Sequence, residues 1–253
     1  MELISKKTIF SFNFSVLNFN DTVSAIIRLA QKKASAYVCV SNVHMIMEAK
    51  RDTAFGRVLR DADMAVLDGM PLCWSMKLLH GLKTDRIAGR HLMDALLKAC
   101  EQSHLPVYFY GGRPSSLDRA VKFISDNYHG VEVVGSYSPP FRALTQEEDL
   151  DVIARITVSG AAIVFVSLGC PKQEKWMAAM KNKIPAVMLG IGIALEVLTE
   201  QQKSTPPWME RSGLEWFFRL CKEPRRLFKR YLFTNTYFVF LLLGTLLRRG
   251  TKA

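Results

Sequence analysis

The residues best suited to chemistry follow the apolar runs of the chain. One of them is Asp68, which comes directly after the run "MAVL" and precedes Gly69. An acid at the end of a buried strand is partly desolvated, and this can bring its pKa into the range needed to take a proton from a hydroxyl. A simple turn is the alternative interpretation of the same Asp-Gly pair.

A second candidate is "VSLGCPKQEKW", residues 166–176, where an apolar run stops abruptly. Gly169 permits a sharp exit from a strand, and Pro171 suits the first turn of a helix. The N-terminus of such a helix can bind an anion. The segment is therefore either a ligand-binding loop or an ordinary connection between a strand and a helix.

The stretch "FYGGRPSSLDRA" has stronger phosphate-binding character. Gly111 and Gly112 allow the backbone to approach a phosphate closely, and Arg113 adds positive charge. One of the two serines that follow is expected to cap a helix that begins near Leu117. A nucleotide diphosphate would fit this segment.

Other kinds of site are not supported by the residue spacing. In "GIGIAL", Leu195 stands where a dinucleotide-binding motif needs its third glycine. The sequence has no HExxH, GxSxG or Walker motif. Of the two DxD pairs, "RDADM" lies ahead of a predicted strand and "EEDLD" lies inside a predicted helix. We therefore predict neither a metal site nor a cofactor.

Alternating strands and helices must hold these residues in place. Apolar runs such as "AYVCVSN", "PVYFYGG" and "AAIVFVSLG" alternate with amphipathic stretches of helix length. This pattern indicates a Rossmann-like α/β fold, with a mostly parallel sheet covered by helices on both faces. Ligands bind beyond the carboxyl ends of such strands. At the N-terminus, "KTIFSFNFSVLNFN" instead predicts an exposed or hairpin strand.

The composition is typical of a folded protein from a reducing compartment. With 253 residues and 49% hydrophobic content, the chain can bury a substantial core. Its five cysteines form no CxxC pair, so a disulfide framework and a zinc knuckle are both disfavoured. The N-terminus lacks the pattern of a signal peptide, and export is not expected.

Positive charge is concentrated at the C-terminal end. The net charge is +11, and residues 201–253 contain eleven Lys or Arg and three Glu, which leaves only +3 for residues 1–200. Between the basic clusters lies an apolar stretch of 17 residues, Tyr231–Leu247. We therefore predict a catalytic domain at 1–200 and a basic, amphipathic appendage at 201–253.

Membrane attachment is the preferred interpretation of this appendage. Its apolar stretch is at or below the length needed to cross a hydrocarbon core of roughly 30 Å, so a surface position is favoured over spanning. Basic side chains near an anionic leaflet contribute on the order of 1 kcal/mol each. The predicted membrane contacts are Arg225, Lys229, Arg230, Tyr231 and Phe238. A helix buried against a partner subunit is one alternative. A nucleic-acid surface is the other, but it rarely adjoins such an apolar run.

The motifs occur in the same order as those of a known family. They are "ADMAVLDGMPL", "DRIAG", "VYFYGG", "SLGCPKQEKW", "GIGIALE" and "PPWMERSGLEWFFRLCKEPRRLFKRYL". This set resembles the WecG/TagA/CpsF family of bacterial glycosyltransferases over roughly residues 8–235. The combination of "GCPKQE" with "GLEWFFRL" makes the resemblance specific.

The resemblance implies that a sugar moves from a UDP-sugar to a saccharide on undecaprenyl diphosphate, with inversion and without a metal bound by a DxD pair. By motif position, Asp68 matches the proposed general base and Arg86 matches the arginine of the family's RxxG segment. Asn42 matches the asparagine after the second strand, and Gln173 matches the glutamine of "PKQE". The appendage resembles the family's membrane-targeting segment, which implies a peripheral location on the cytoplasmic face of the bacterial inner membrane.

This chemistry assigns further roles. Lys172 and Gln173 are expected to orient a sugar or phosphate oxygen, while arginines of the appendage neutralise the departing diphosphate in place of a metal. The complete set of expected substrate-binding residues is Asn42, Arg86, Gly111, Gly112, Gly169, Lys172, Gln173, Glu196, Arg219 and Arg226.

Departures from the family pattern leave the donor sugar open. Leu195-Glu196 stands where Phe-Asp is common, and Val40 stands where Thr is frequent. UDP-N-acetylmannosamine and UDP-glucose or another UDP-hexose are all candidates. A non-catalytic partner in a polysaccharide assembly complex is the alternative function, but such a partner would not need Asp68, Arg86 and Gln173 together. A homo-oligomer is neither indicated nor excluded.

Overall fold

The computed structural model describes residues 4–199 and 205–250. Two short strands near the N-terminus, β1 (Lys6–Ile9) and β2 (Phe12–Ser15), pair antiparallel. The alternating pattern in this part of the sequence therefore predicts the hairpin correctly.

Six further strands form one parallel sheet. They are β3 (Ala36–Ser41), β4 (Met64–Leu67), β5 (Val107–Gly111), β6 (Val133–Tyr137), β7 (Ile163–Ser167) and β8 (Val187–Gly190). Their order across the sheet is β4-β3-β8-β7-β5-β6. The predicted Rossmann-like α/β fold is confirmed.

Twelve helices lie within the described residues. They are α1 (Phe19–Gln31), α2 (Val43–Arg51), α3 (Thr53–Arg60), α4 (Met70–His80), α5 (Gly89–Ser103), α6 (Pro114–Asn127), α7 (Gln146–Val158), α8 (Lys172–Met180), α9 (Ala194–Leu198), α10 (Pro207–Arg211), α11 (Glu215–Lys222) and α12 (Pro224–Gly250). Buried residues of α1, α5, α6 and α9 cover one face of the sheet, and those of α2, α3, α4, α7 and α8 cover the other.

Successive residues of each buried strand point to opposite faces of the sheet. In β5, Tyr108 and Tyr110 pack with the cluster around α2 and α8, whereas Val107 and Phe109 pack with the cluster around α5 and α6. Because helices cover both faces, both sets of side chains must be apolar. For this reason the sequences of the buried strands are continuous apolar runs.

The chain connections diverge between the neighbouring strands β5 and β7. The chain leaves β5 toward β6 on one side, and it leaves β7 toward β8 on the other. Such a change of direction opens a crevice at the carboxyl ends of the two strands, which is the usual place for a ligand in this class of fold.

Helices α10, α11 and α12 form the C-terminal segment, residues 205–250. Helix α12 packs against α2 and α4, and it buries Leu227, Thr234 and Phe238. The predicted domain boundary, at residue 200, lies outside the described residues and stays a prediction.

Candidate active site

Asp68 lies at the rim of the sheet, directly after β4. Its backbone N–H donates to the Ser41 carbonyl at 2.7 Å and continues the ladder between β3 and β4. Gly69 follows with a φ of 121°, a conformation that glycine adopts without strain, and α4 begins at the next residue. The Asp-Gly pair is thus a turn, and it also fixes the carboxylate in a recess.

The Asp68 side chain is only 22% exposed, and this burial changes the pKa of its carboxyl group. Burial raises its pKa from 3.8 to about 6, although the Arg86 guanidinium acts in the opposite direction. An acid with this pKa is ionised near neutral pH and still holds a proton well enough to act as a general base.

Arg86 reaches Asp68 from the segment between α4 and α5. This segment runs beside the end of β4, because the Ile87 N–H donates to the Leu67 carbonyl at 2.8 Å. Arg86 Nε donates to Asp68 Oδ1 at 3.4 Å, and Arg86 Nη2 donates to Glu215 Oε2. Asp68, Arg86 and Glu215 therefore form a connected group that joins the sheet to α11.

Glu215 is held by two arginines. Arg219, one turn further along α11, places Nη2 2.5 Å from Glu215 Oε1, while Arg86 takes the other oxygen. Burial acts to raise the pKa of Glu215, but Arg219 and Arg86 outweigh it and the pKa is lowered. Arg219 thus lies beside the Asp68 site with its guanidinium paired to Glu215, and its predicted contact with the departing diphosphate stays a prediction.

A second acid, Glu210, connects the C-terminal segment to α5. Glu210 of α10 binds Arg90 at 3.1 Å and His91 at 3.2 Å, both at the start of α5.

Sequence reasoning missed Glu210 and Glu215. The only signal for Glu215 was its spacing of four residues from Arg219, which places both on one face of a helix.

The loop after β7 differs from its predicted form. Gln173 is 4% exposed, and its Oε1 accepts hydrogen bonds from the N–H groups of Gly169 and Gly192, both at 3.1 Å. Its Nε2 donates to Glu174 Oε1 at 2.7 Å. The expectation that Gln173 binds a sugar or phosphate oxygen is therefore wrong for this conformation. Gln173 instead joins the loops that follow β7 and β8.

Glu174 occupies the first turn of α8, the helix N-terminus at which the sequence predicts a site for a bound anion. Its side chain is fully buried, and Oε2 has no hydrogen-bond partner within the described part of the chain. Burial raises the pKa of Glu174 despite the hydrogen bond from Gln173. The chain thus places its own acid at this helix N-terminus, with Gly169 (φ 76°) in the loop that leads to it.

A cleft of about 890 Å³ opens at the divergence of β5 and β7. Four basic side chains line it, from Arg113, Arg119, Arg142 and Lys172. Helix α6 begins at Pro114 at one wall, without a side-chain cap. The expected cap by Ser115 or Ser116 is wrong, because Pro114 takes the first helical position three residues earlier than predicted.

The two glycines at this cleft have different roles. A Cβ on Gly111 would lie 2.6 Å from the Ser167 carbonyl oxygen, so this glycine lets β5 and β7 approach each other. A Cβ on Gly112 would meet no atom within 4 Å, and Gly112 lines the cleft. Of the predicted pair, Gly112 is the one with room for a ligand.

Two acids also face the cleft. Glu196 of α9 is partly buried, its Oε2 has no hydrogen-bond partner among the residues described, and burial raises its pKa. Asp149 of α7 also lines the cleft. One acid of the DxD pair in "EEDLD" therefore lies at the candidate ligand site, although the pair is in a helix. Lys172 lines the same cleft, with Nζ 4.4 Å from the centre of the Phe141 ring.

Asn42 has a defined structural role at the same rim of the sheet. Its Oδ1 accepts a hydrogen bond from the Met45 N–H and caps α2. The Asn42 side chain is exposed directly after β3, next to the strand that carries Asp68. Its predicted contact with substrate stays a prediction.

The predicted membrane residues divide between two faces of α12. Phe238 is 3% exposed and packs edge-on against Phe10 of the hairpin turn, so its assignment as a membrane contact is wrong. Tyr231 contacts Trp216, and Arg230 lies over the Tyr231 ring. Arg225 and Lys229 are exposed. The Arg226 side chain lies outside the described residues.

The outward face of α12 is apolar. Its exposed large side chains are Phe228, Leu232, Phe233, Tyr237, Val239, Phe240, Leu243 and Leu247. By length and composition, the 22 residues Leu227–Arg248 could cross a membrane. This stretch is longer than the 17 apolar residues, Tyr231–Leu247, that the sequence analysis considered too short or barely long enough to span. The inner face of α12 packs on α2 and α4, and the predicted surface position of the appendage stays a prediction.

Two further findings concern metal binding at this site and the family of the chain. Within residues 4–199 and 205–250, no three His, Cys, Asp or Glu side chains group as metal ligands would. A comparison with protein families matches residues 7–252 to the family described as glycosyl transferase WecG/TagA/CpsF.

Proposed function

The chain belongs to the WecG/TagA/CpsF glycosyltransferase family, and from this premise we propose that it transfers a hexose or N-acetylhexosamine from a UDP-sugar to a saccharide on undecaprenyl diphosphate. The observation that carries the proposal is the recessed Asp68, with a pKa of about 6, beside Arg86. It supplies a base at the carboxyl end of the sheet, the end at which a Rossmann-like fold binds its ligands.

The proposed reaction is a single displacement. The acceptor hydroxyl oxygen forms a bond to the anomeric carbon of the donor sugar as the bond from that carbon to the diphosphate oxygen breaks. The electron pair leaves with UDP, and Asp68 takes the proton of the hydroxyl. One displacement at the anomeric carbon inverts its configuration.

The cleft between β5 and β7 is the proposed site of the UDP moiety. Its basic residues and the uncapped N-terminus of α6 favour a diphosphate, and Gly112 leaves space beside them. Three strand spacings, about 14 Å, separate the end of β7 from that of β4. An extended nucleotide-sugar is the class of ligand that could reach from the cleft toward Asp68.

Charge on the departing diphosphate needs a counterpart. Arg86 and Arg219 lie at the Asp68 site and are proposed to share this role with the basic residues of the cleft, as Arg226 is also expected to do. We propose that these guanidinium groups act without a metal ion. EDTA should then leave turnover largely unchanged, and a loss of activity that manganese or magnesium restores would contradict the proposal.

The lipid acceptor explains the position of α12. Its outward apolar face and the exposed Arg225 and Lys229 suit the surface of an anionic bilayer, where a polyprenyl diphosphate also resides. The proposed location is therefore peripheral, on the cytoplasmic face of the inner membrane.

The test is to incubate the protein with a panel of UDP-sugars and lipid-diphosphate saccharides, and to measure UDP release and product mass. We expect turnover with one UDP-hexose or UDP-N-acetylhexosamine, and loss of turnover in Asp68→Asn. If no pair of substrates reacts, the alternative of a non-catalytic partner in polysaccharide assembly gains support.

A further inference from the structure

Glu215 is the only described residue of the C-terminal segment that shares a hydrogen-bonded arginine with Asp68. Arg86 Nη2 donates to Glu215 Oε2, while Arg86 Nε lies 3.4 Å from Asp68 Oδ1, which is long for a hydrogen bond to a charged group. Arg86 thus bridges the two acids, and its contact with Asp68 is a long one.

The charges around Asp68 come from three elements. Arg86 lies on the segment before α5, and Glu215 and Arg219 lie on α11. Cys73 of α4 is a further titratable neighbour, and Glu210 of α10 also acts on Arg86. Two acids therefore share two arginines. If Glu215 were neutral, Asp68 would face both arginines alone. If α11 were displaced, Arg219 would leave with Glu215, and Asp68 would keep Arg86 as its arginine partner.

We propose that Glu215 is a positioning residue that couples docking of the C-terminal segment to the reactivity of Asp68. When the segment is docked, Glu215 holds the outer nitrogen of Arg86 and limits its pairing with Asp68. When the segment is displaced, Arg86 is free to form a bidentate pair with the Asp68 carboxylate. The catalytic consequence rests on the proposed role of Asp68 as general base.

This exchange of partners changes the strength of the base. A paired arginine favours the ionised form of a carboxylate and lowers its pKa. A carboxylate of lower pKa takes a proton from a hydroxyl less readily. Docking therefore leaves Asp68 more basic, and undocking makes it a weaker base even though the residue itself has not moved.

The experiment compares Glu215→Gln with Glu210→Gln in the full-length chain. Both changes remove one docking acid of the same segment, but Glu210 binds Arg90 and His91 rather than Arg86. The pKa of Asp68 is measured by carbon-13 NMR of the aspartate carboxyl groups, with the signal assigned by its loss in Asp68→Asn. We expect Glu215→Gln to lower this pKa by about one unit and Glu210→Gln to leave it near the wild-type value.

A third variant tests the same balance in the other direction. Arg219 binds the second oxygen of Glu215, so Arg219→Gln should raise the pKa of Asp68. It also keeps the proposal testable if Glu215→Gln does not fold. An unchanged Asp68 pKa in Glu215→Gln, or an equal decrease in Glu210→Gln, would overturn the proposal, as would no increase in Arg219→Gln.

Kinetics with a water-soluble acceptor provide the second readout. The acid limb of kcat/KM should move to lower pH in Glu215→Gln, together with the NMR value, and kcat on the plateau should fall about tenfold. An acid limb that does not move would contradict the catalytic part. If the wild type turns over no substrate, the proposed function fails, while the NMR titration still decides the role of Glu215.

Discussion

Asp68 combines two properties that are seldom found together on a surface acid: it is recessed at the rim of a sheet, and it lies next to an arginine that is shared with another acid. The desolvation outweighs the attraction of Arg86, so its pKa rises to about 6. A carboxylate in this state is destabilised by the fold, and such a residue is expected at a functional site rather than at a structural one.

The first prediction is that Asp68→Asn separates activity from stability. Turnover should fall by two to four orders of magnitude, since the base is lost. The free energy of unfolding at pH 8 should rise by up to about 3 kcal/mol, since an ionised carboxylate is no longer held in the recess. Urea titrations and steady-state rates measure the two effects. A variant that keeps more than about a third of the wild-type rate would remove Asp68 from its role.

The second prediction is the pH dependence that follows from the same pKa. The folded protein binds the Asp68 proton more tightly than the unfolded chain, so this group lowers the free energy of unfolding as the pH rises from 3.8 to about 6. The gain in stability of Asp68→Asn should therefore shrink toward pH 4 and vanish below it. Denaturation at several pH values tests this, and a gain that is independent of pH would contradict the assigned cause.

At the scale of single residues, the sequence indicates Asp68 and Arg86 but not Glu215. The first two lie in short motifs next to a strand or loop, and the rim of the sheet brings them together. Glu215 is 129 residues from Arg86 in the chain, and only the docking of α11 makes them neighbours. Local patterns carry no information about such a contact.

At the scale of elements, the β7–α8 connection is built on an internal hydrogen-bond network. Gln173 accepts from two glycine N–H groups and donates to Glu174, so one side chain fixes the ends of β7 and β8 relative to each other. Sequence reasoning recognised the strand, the turn at Gly169 and the helix after Pro171. It assigned Gln173 to a substrate oxygen, because the burial of this side chain depends on Gly192, in a different loop.

The third prediction concerns this network. Gln173→Met keeps the length of the side chain but leaves two partly buried N–H groups without an acceptor, and should lower the free energy of unfolding by about 1–3 kcal/mol. Lys175→Met, on the exposed side of the same helix, is the matched control. It removes an exposed ion pair with Asp52 and should lower the free energy of unfolding by less than about 1 kcal/mol. Urea denaturation distinguishes them. Equal stability of the two variants would refute the internal role of Gln173.

At the scale of the whole molecule, α12 has one face on the protein and another toward solvent. The composition of the segment predicts an apolar, basic appendage, but it cannot say which aromatic residues face outward. Phe238 was misassigned because its partner, Phe10, lies in a hairpin turn more than two hundred residues earlier. Helical periodicity alone does not separate two apolar faces.

The fourth prediction is that the outward face carries membrane binding. The double change Phe233→Gln and Phe240→Gln removes two exposed rings and should weaken co-sedimentation with anionic vesicles by about tenfold or more. Phe141→Gln, which removes an exposed ring from the loop between β6 and α7, should leave sedimentation unchanged. Raised salt should weaken attachment further. Normal sedimentation of the double variant would contradict the assignment of this face.

Under the proposed membrane attachment, the two-faced packing of α12 also predicts how the rate should depend on lipid. An enzyme held at a bilayer through this helix meets its acceptor by lateral diffusion in two dimensions, so the relevant concentration is the mole fraction of acceptor in the surface. Adding inert lipid at constant bulk acceptor should then slow turnover by surface dilution, whereas the same dilution should not affect a water-soluble acceptor.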